Sequence, residues 1–246
     1  MQISIKQIEK FRLIIDAYQD QTIIPVEGHW KGLNNNDLWF RMIGQIMVVG
    51  SVTGKINFDA RPELQKLVHT NALKKLREEE RVLNINYVLR ESKVRYASED
   101  LNKCAKTKAL SNNFEVLQAY EGGMSQILSM FNLYDSKSAE WERVEFLKAN
   151  FQFMKNKSAR DYLMGIGMNR NTLALDVRIQ NIFNYVGISF PVAKELGNAD
   201  IYDTTEKKII KNICKPLKVE PIVFDRILFQ NYAKIITGDF LIPKLF

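Results

Sequence analysis

Apolar residues recur at intervals of three and four along nearly the whole chain, and runs that alternate with period two are scarce. Three-four spacing lays one apolar stripe along a helix, whereas a strand needs every second residue apolar, so the expected fold class is all-α. The spacing predicts helices over Ile5–Tyr18, Asp37–Ser51, Pro62–Glu79, Leu83–Tyr96, Glu99–Ala109, Phe114–Met130, Ser138–Phe153, Ser158–Met164, Val177–Val186, Pro191–Leu196, Thr205–Leu217 and Pro221–Ile235. Pro62 and Pro221 suit first turns, where a missing N–H is no loss, and Asp37 and Thr205 stand near helix starts. Gly and Asn cluster over Gly28–Asn36, which reads as a linker behind the first helix.

A chain of 246 residues, 46% of them apolar, buries a large core in one domain or two intimate lobes, which excludes a disordered protein. Its formal charge of +7 suits a polyanionic partner, although many soluble proteins are mildly basic. Cys104 and Cys214 are the only cysteines, too few for an iron–sulfur cluster with four thiolates. His29 and His69 are the only histidines, which makes a zinc site improbable, and no cofactor is expected. Both thiols are expected reduced and buried, consistent with an intracellular protein. The first 18 residues pattern as a helix without a signal peptide's apolar core or cleavage site, and the most hydrophobic run, Ile43–Val52, is too short to span a bilayer.

The chemistry concentrates in KNKSARDYLMGIGMNRNTLALDVRI, where Lys157 and Asp176 stand nineteen positions apart. A lysine near the start of one short helix and an aspartate at the start of the next can meet across one cleft, as amine nucleophile and assisting carboxylate. That pair can attack a sugar carbon and stabilise a cationic sugar without a metal.

The segment resembles the helix–hairpin–helix DNA glycosylases, in which a hairpin ends in a catalytic lysine, a helix follows, and an apolar run ends in aspartate. It is most similar to the archaeal-type 8-oxoguanine glycosylases. The matching parts are Ala159–Leu163, Ile166–Gly167 and Leu173–Ala174–Leu175–Asp176 followed by Val177–Arg178–Ile179. Asp37–Leu38–Trp39–Phe40–Arg41, running into Gly44–Gln45–Ile46, resembles the early family helix that carries a glutamine toward DNA. The family hairpin has glycines before its lysine, but here Phe153–Met154–Lys155 stands instead, so the hairpin reads as degenerate, and Gly167 reads as the C-terminal cap of the next helix. The archaeal-type relatives also use a C-terminal lysine near the pocket; this chain ends Pro243–Lys244–Leu245–Phe246, so that feature is displaced or missing.

The resemblance implies a helical barrel over 35–167 and a second lobe from 1–34 and 168–246, with DNA in the groove between them. It implies a monomer acting on damaged double-stranded DNA. Lys157 would displace the flipped base, form a Schiff base and cut the strand by β-elimination; Asp176 would stabilise the sugar cation and help take the lysine's proton. Asp176 is also a helix cap by residue type, and the two roles are compatible. Gln45 is either hydrogen-bonded inside the barrel or fills the space of the extruded base. Lys155, Arg160 and Arg178 are the candidate DNA contacts, and Trp39 and Phe40 read as core rather than stacking platforms. The mixed charges of Lys74–Arg81 read as a solvated helix face; the lysines from Lys207 to Lys218 are more one-sided and could touch DNA, although a solvated face is the first reading. Two alternatives stay open: a glycosylase for an alkylated or deaminated base, and a non-catalytic helical DNA-binding or interaction protein.

Overall fold

The computed structural model describes residues 3–131 and 137–239, excepting the side chains of 137 and 138. Lys244 lies outside them. The described residues form helices and turns with no strand, as the three-four spacing requires. They group into two compact units, Gly28–Tyr162 and Met1–Glu27 with Leu163–Phe246.

The chain opens with α1 (Ile5–Tyr18), started by a capping box in which Ser4 and Gln7 satisfy each other's free amides. The middle unit holds α2 (Asn35–Met47), α3 (Thr53–Asp59), α4 (Pro62–Leu67), α5 (Thr70–Leu73), α6 (Glu78–Glu91), α7 (Ala105–Gln118), α8 (Gly123–Met130), α9 (Lys137–Asn150) and most of α10 (Asn156–Gly165). The remainder supplies α11 (Val177–Val186), α12 (Ala199–Ile209), α13 (Lys215–Leu217), α14 (Pro221–Gln230) and α15 (Tyr232–Thr237). One π-helical turn, Ile210–Cys214, joins α12 to α13.

Several expected boundaries are corrected by local chemistry. The helix expected over Pro62–Glu79 breaks at Val68, and His69 starts α5 by accepting the Asn71 amide on its ring nitrogen at 3.3 Å. Thr205 lies in mid-helix, its hydroxyl donating to the Ile201 carbonyl at 2.7 Å, and Asn198 is the cap of α12. Asp37 is not the first residue of α2 but the third, reaching back to the Asn34 amide at 3.1 Å. Pro191–Leu196 forms no α-helix, only a 3-10 turn over Glu195–Gly197. The Pro221 helix is interrupted at Asn231. Helix α3 was not anticipated; Gly54 allows it, since a Cβ there would meet Val94 at 2.6 Å.

Each unit has its own core. In Gly28–Tyr162, Trp39 is fully buried, donates to the Val68 carbonyl at 3.0 Å and packs on Phe114 with centroids 5.8 Å apart. Phe40 is only half-buried and packs edge-on against Phe58 at 5.8 Å, so Trp39 is core and Phe40 lies at its margin. Lys106 is buried with its ammonium donating to the carbonyls of Val49 at 2.7 Å, Arg95 at 3.1 Å and Met47 at 3.4 Å, which ties the end of α2 to the loop behind α6. Arg81 is not on a solvated face: it is buried, paired with Glu115 and bonded to Gln118 at 3.2 Å.

In the other unit Phe11 packs at a tilt on Phe183 at 5.0 Å and edge-on to Phe224 at 5.4 Å, and Phe183 meets Phe190 at 4.8 Å. Each such ring removes apolar surface worth about 1.5–3 kcal/mol from water. Cys104 and Cys214 are both free and buried. Burial, helped by the charge of Asp225, pushes the Cys214 thiol up to about 12. No helix among the described residues is long and apolar enough to cross a membrane.

Candidate active site

Lys157 is presented by a tight turn between α9 and α10. Phe153 takes a left-handed backbone conformation, φ 64°, which glycine adopts freely and phenylalanine only at a cost of about 1–2 kcal/mol. Side chains hold it there. The buried Asn113 of α7 bonds the Gln152 backbone twice, accepting its amide at 2.7 Å and donating to its carbonyl at 3.0 Å. The Ser158 hydroxyl donates to the Phe153 carbonyl at 2.8 Å and accepts from the Lys155 amide at 2.8 Å. Met154 is buried as the anchor between them, and Lys155 is exposed. The Lys155 carbonyl then accepts the Ala159 amide at 2.9 Å, the first helical bond of α10. The turn thus forms without glycines.

This puts Lys157 in the first turn of α10, half-buried, with its ammonium 2.8 Å from the Asp161 carboxylate one turn on. Asp161 was not singled out from sequence; its four-residue separation from Lys157 is the signal that could have found it. Arg160, expected at the DNA backbone, is sealed inside the unit at 0% exposure. Its guanidinium stacks over Trp141 at 4.9 Å and donates to the Asn156 carbonyl at 3.0 Å, so it is not available to a phosphate. Gln45 lies on α2 with its side-chain oxygen buried and without a hydrogen-bond partner, so the protein does not satisfy that atom.

In the other unit α10 ends in a left-handed Gly167, φ 73°, with the amides of Gly167 and Met168 returning to Met164 and Leu163 at 3.0 and 2.9 Å. An extended strap, Leu173–Leu175, follows, and its three successive amides are held by buried side chains. Leu173 donates to Glu206 at 2.5 Å, Ala174 to Asp225 at 2.7 Å and Leu175 to the Tyr202 hydroxyl at 2.7 Å. Tyr202 in turn donates to the Leu173 carbonyl at 2.9 Å. None of these three supports was picked out from sequence, because each comes from a helix 27 to 51 residues further along.

The strap delivers Asp176 to the start of α11. One carboxylate oxygen accepts the Arg178 and Ile179 amides at 2.9 and 3.2 Å, and the other faces the Arg178 guanidinium at 3.3 Å. Arg178 also stacks on Phe229, 3.8 Å from the ring centre. Asp176 is therefore a helix cap, its carboxylate bonded to two amides and facing a guanidinium. The lysines at 207, 208, 211, 215 and 218 are exposed along α12 and α13.

No protein-family model matches this chain. No curated protein matches it by sequence either. The chain does share its fold with the 8-oxoguanine DNA glycosylase of Thermotoga maritima, whose crystal structure superposes with a TM-score of 0.59 over 91% of this chain and 93% of that one, at 19% identity. The fold is thus the all-helical one seen in that DNA glycosylase.

Proposed function

We propose that this protein is a DNA glycosylase with β-lyase activity. Damaged duplex DNA is the substrate, 8-oxoguanine is the first lesion to test, Lys157 is the nucleophile and Asp176 stabilises positive charge on the sugar. The observation that carries the reading is the position of Lys157, one residue into a helix behind a tight turn held by Asn113 and Ser158, in a chain with the fold of a glycosylase. The Lys157 amine attacks C1′, the base departs with the electrons of its bond, and the resulting Schiff base activates the sugar for elimination on the 3′ side. Lys155 and Arg178 are the proposed DNA contacts, with Gln45 filling the space of the extruded base, its unsatisfied oxygen supporting that role.

Borohydride reduction tests the nucleophile. Wild-type protein should become covalently attached to an 8-oxoguanine duplex, and Lys157→Gln should abolish the attachment. Trapping by the variant at the wild-type rate would remove Lys157 from the mechanism. A panel with alkylated and deaminated bases assigns the lesion, and duplex binding without cleavage or trapping on any lesion favours a non-catalytic DNA-binding protein.

A further inference from the structure

We propose that Asp161 is a positioning residue for the Lys157 amine, fixing the nucleophile where it must react; this rests on the glycosylase reading above. Three observations carry it. The pair is close, at 2.8 Å, and sheltered, with side-chain exposures of 28% and 12%, whereas the surface pair Lys55–Asp59, of the same spacing, is exposed at 40% and 53%. Its order is the poorer one for helix stability: a cation in the first turn and an acid one turn later oppose the helix dipole, so the pair is not explained as a stabiliser of α10. A second cation, the buried Arg160, belongs to the same helix, and Asp161 is the one acidic residue of α10.

A lysine side chain has four rotatable bonds, and a freely moving amine spends little time at any one point. A carboxylate anchored one turn away on a rigid helix restricts the ammonium to a narrow arc. The amine then needs only to lose its proton to reach attack geometry. The ammonium loses one proton to solvent, the nitrogen lone pair forms the Nζ–C1′ bond, and the bond from C1′ to the base breaks with its electrons leaving on the base, which takes a proton from water. A second proton leaves Nζ, the C1′–O4′ bond opens, O4′ is protonated, and the iminium that borohydride reduces is formed.

A duplex with a single abasic site is the probe, since its aldehyde accepts the amine whatever the lesion specificity. Asp161→Ser is too short to reach Nζ, while Asp161→Asn keeps an oxygen acceptor in the same place. At saturating protein, Asp161→Ser should slow borohydride trapping roughly ten- to a hundredfold, the size of effect a small misplacement produces, with DNA affinity unchanged. Asp161→Asn should recover most of the rate. Equal rates for Asp161→Ser and wild type overturn the proposal. So does a loss in both variants that follows DNA affinity or melting temperature, which marks a structural role. If Asp161→Ser does not fold, Asp161→Glu takes its place, and a wild-type rate with the carboxylate displaced by one methylene overturns the proposal. Failure of the glycosylase reading is seen separately, as Lys157→Gln trapping like wild type.

Discussion

The two oxygens of Asp176 carry different work, and this separates its capping role from its proposed role in chemistry. Asparagine retains the oxygen that accepts the Arg178 and Ile179 amides but not the charge. Asp176→Asn should therefore leave urea stability nearly unchanged and slow single-turnover base release by about 10²–10³, whereas Asp176→Ala should also lose about 1 kcal/mol of stability. Undiminished release in the asparagine variant would leave a cap and nothing more. Lys155 is exposed at the turn, where an ammonium can supply by charge what glycine amides supply elsewhere. Lys155→Ala should weaken duplex binding irrespective of sequence and flatten the salt dependence by about one phosphate contact, with single-turnover cleavage at saturating protein intact. If binding holds and catalysis is lost, Lys155 is the nucleophile. The places of Lys157 and Asp176 at the starts of α10 and α11 were legible in sequence from short-range spacing and flanking apolar residues. The burial of Arg160 was not, since it depends on Trp141 in the preceding helix.

Among the elements, α1 and α11 match their sequence reading residue for residue, because a capping side chain stands directly before each. Long apolar runs were less informative. Breaks at Val68, Cys104, Gly122 and Asn231 divide stretches whose hydrophobic period continues through them, so period alone cannot locate them. The strap into Asp176 was legible as an apolar run and illegible as a structure, since its amides are paired by side chains remote in sequence. Tyr202 bonds that strap twice, accepting from the Leu175 amide and donating to the Leu173 carbonyl. Tyr202→Phe strands a buried amide and should cost about 1–3 kcal/mol in urea denaturation. It should also slow base release, because Asp176 is the next residue; a stability loss with full activity would show that the strap tolerates movement without disturbing Asp176.

At the scale of the whole molecule, stability should fall at high pH for an identifiable reason. In the folded chain the Cys214 thiol holds its proton to about 12, while its ordinary value is 9.0. The folded state thus binds more protons than the unfolded state between those values, so this contribution is complete below about pH 9 and is lost as pH rises toward 12. Urea midpoints measured at pH 8 and pH 10 should show a drop that is smaller in Cys214→Ala, and equal drops in the two proteins would exclude the thiol as its source. The net charge of +7 and the all-helical class were legible from composition and period, whereas composition left one domain or two lobes open. The turn before Lys157 also bears on which letters can spell it. Because Asn113 and Ser158 enforce its bend from outside, the left-handed position 153 accepts a residue other than glycine. A bend braced in this way is written in the side chains around it, so a search for glycines would pass over a loop that keeps its shape without them.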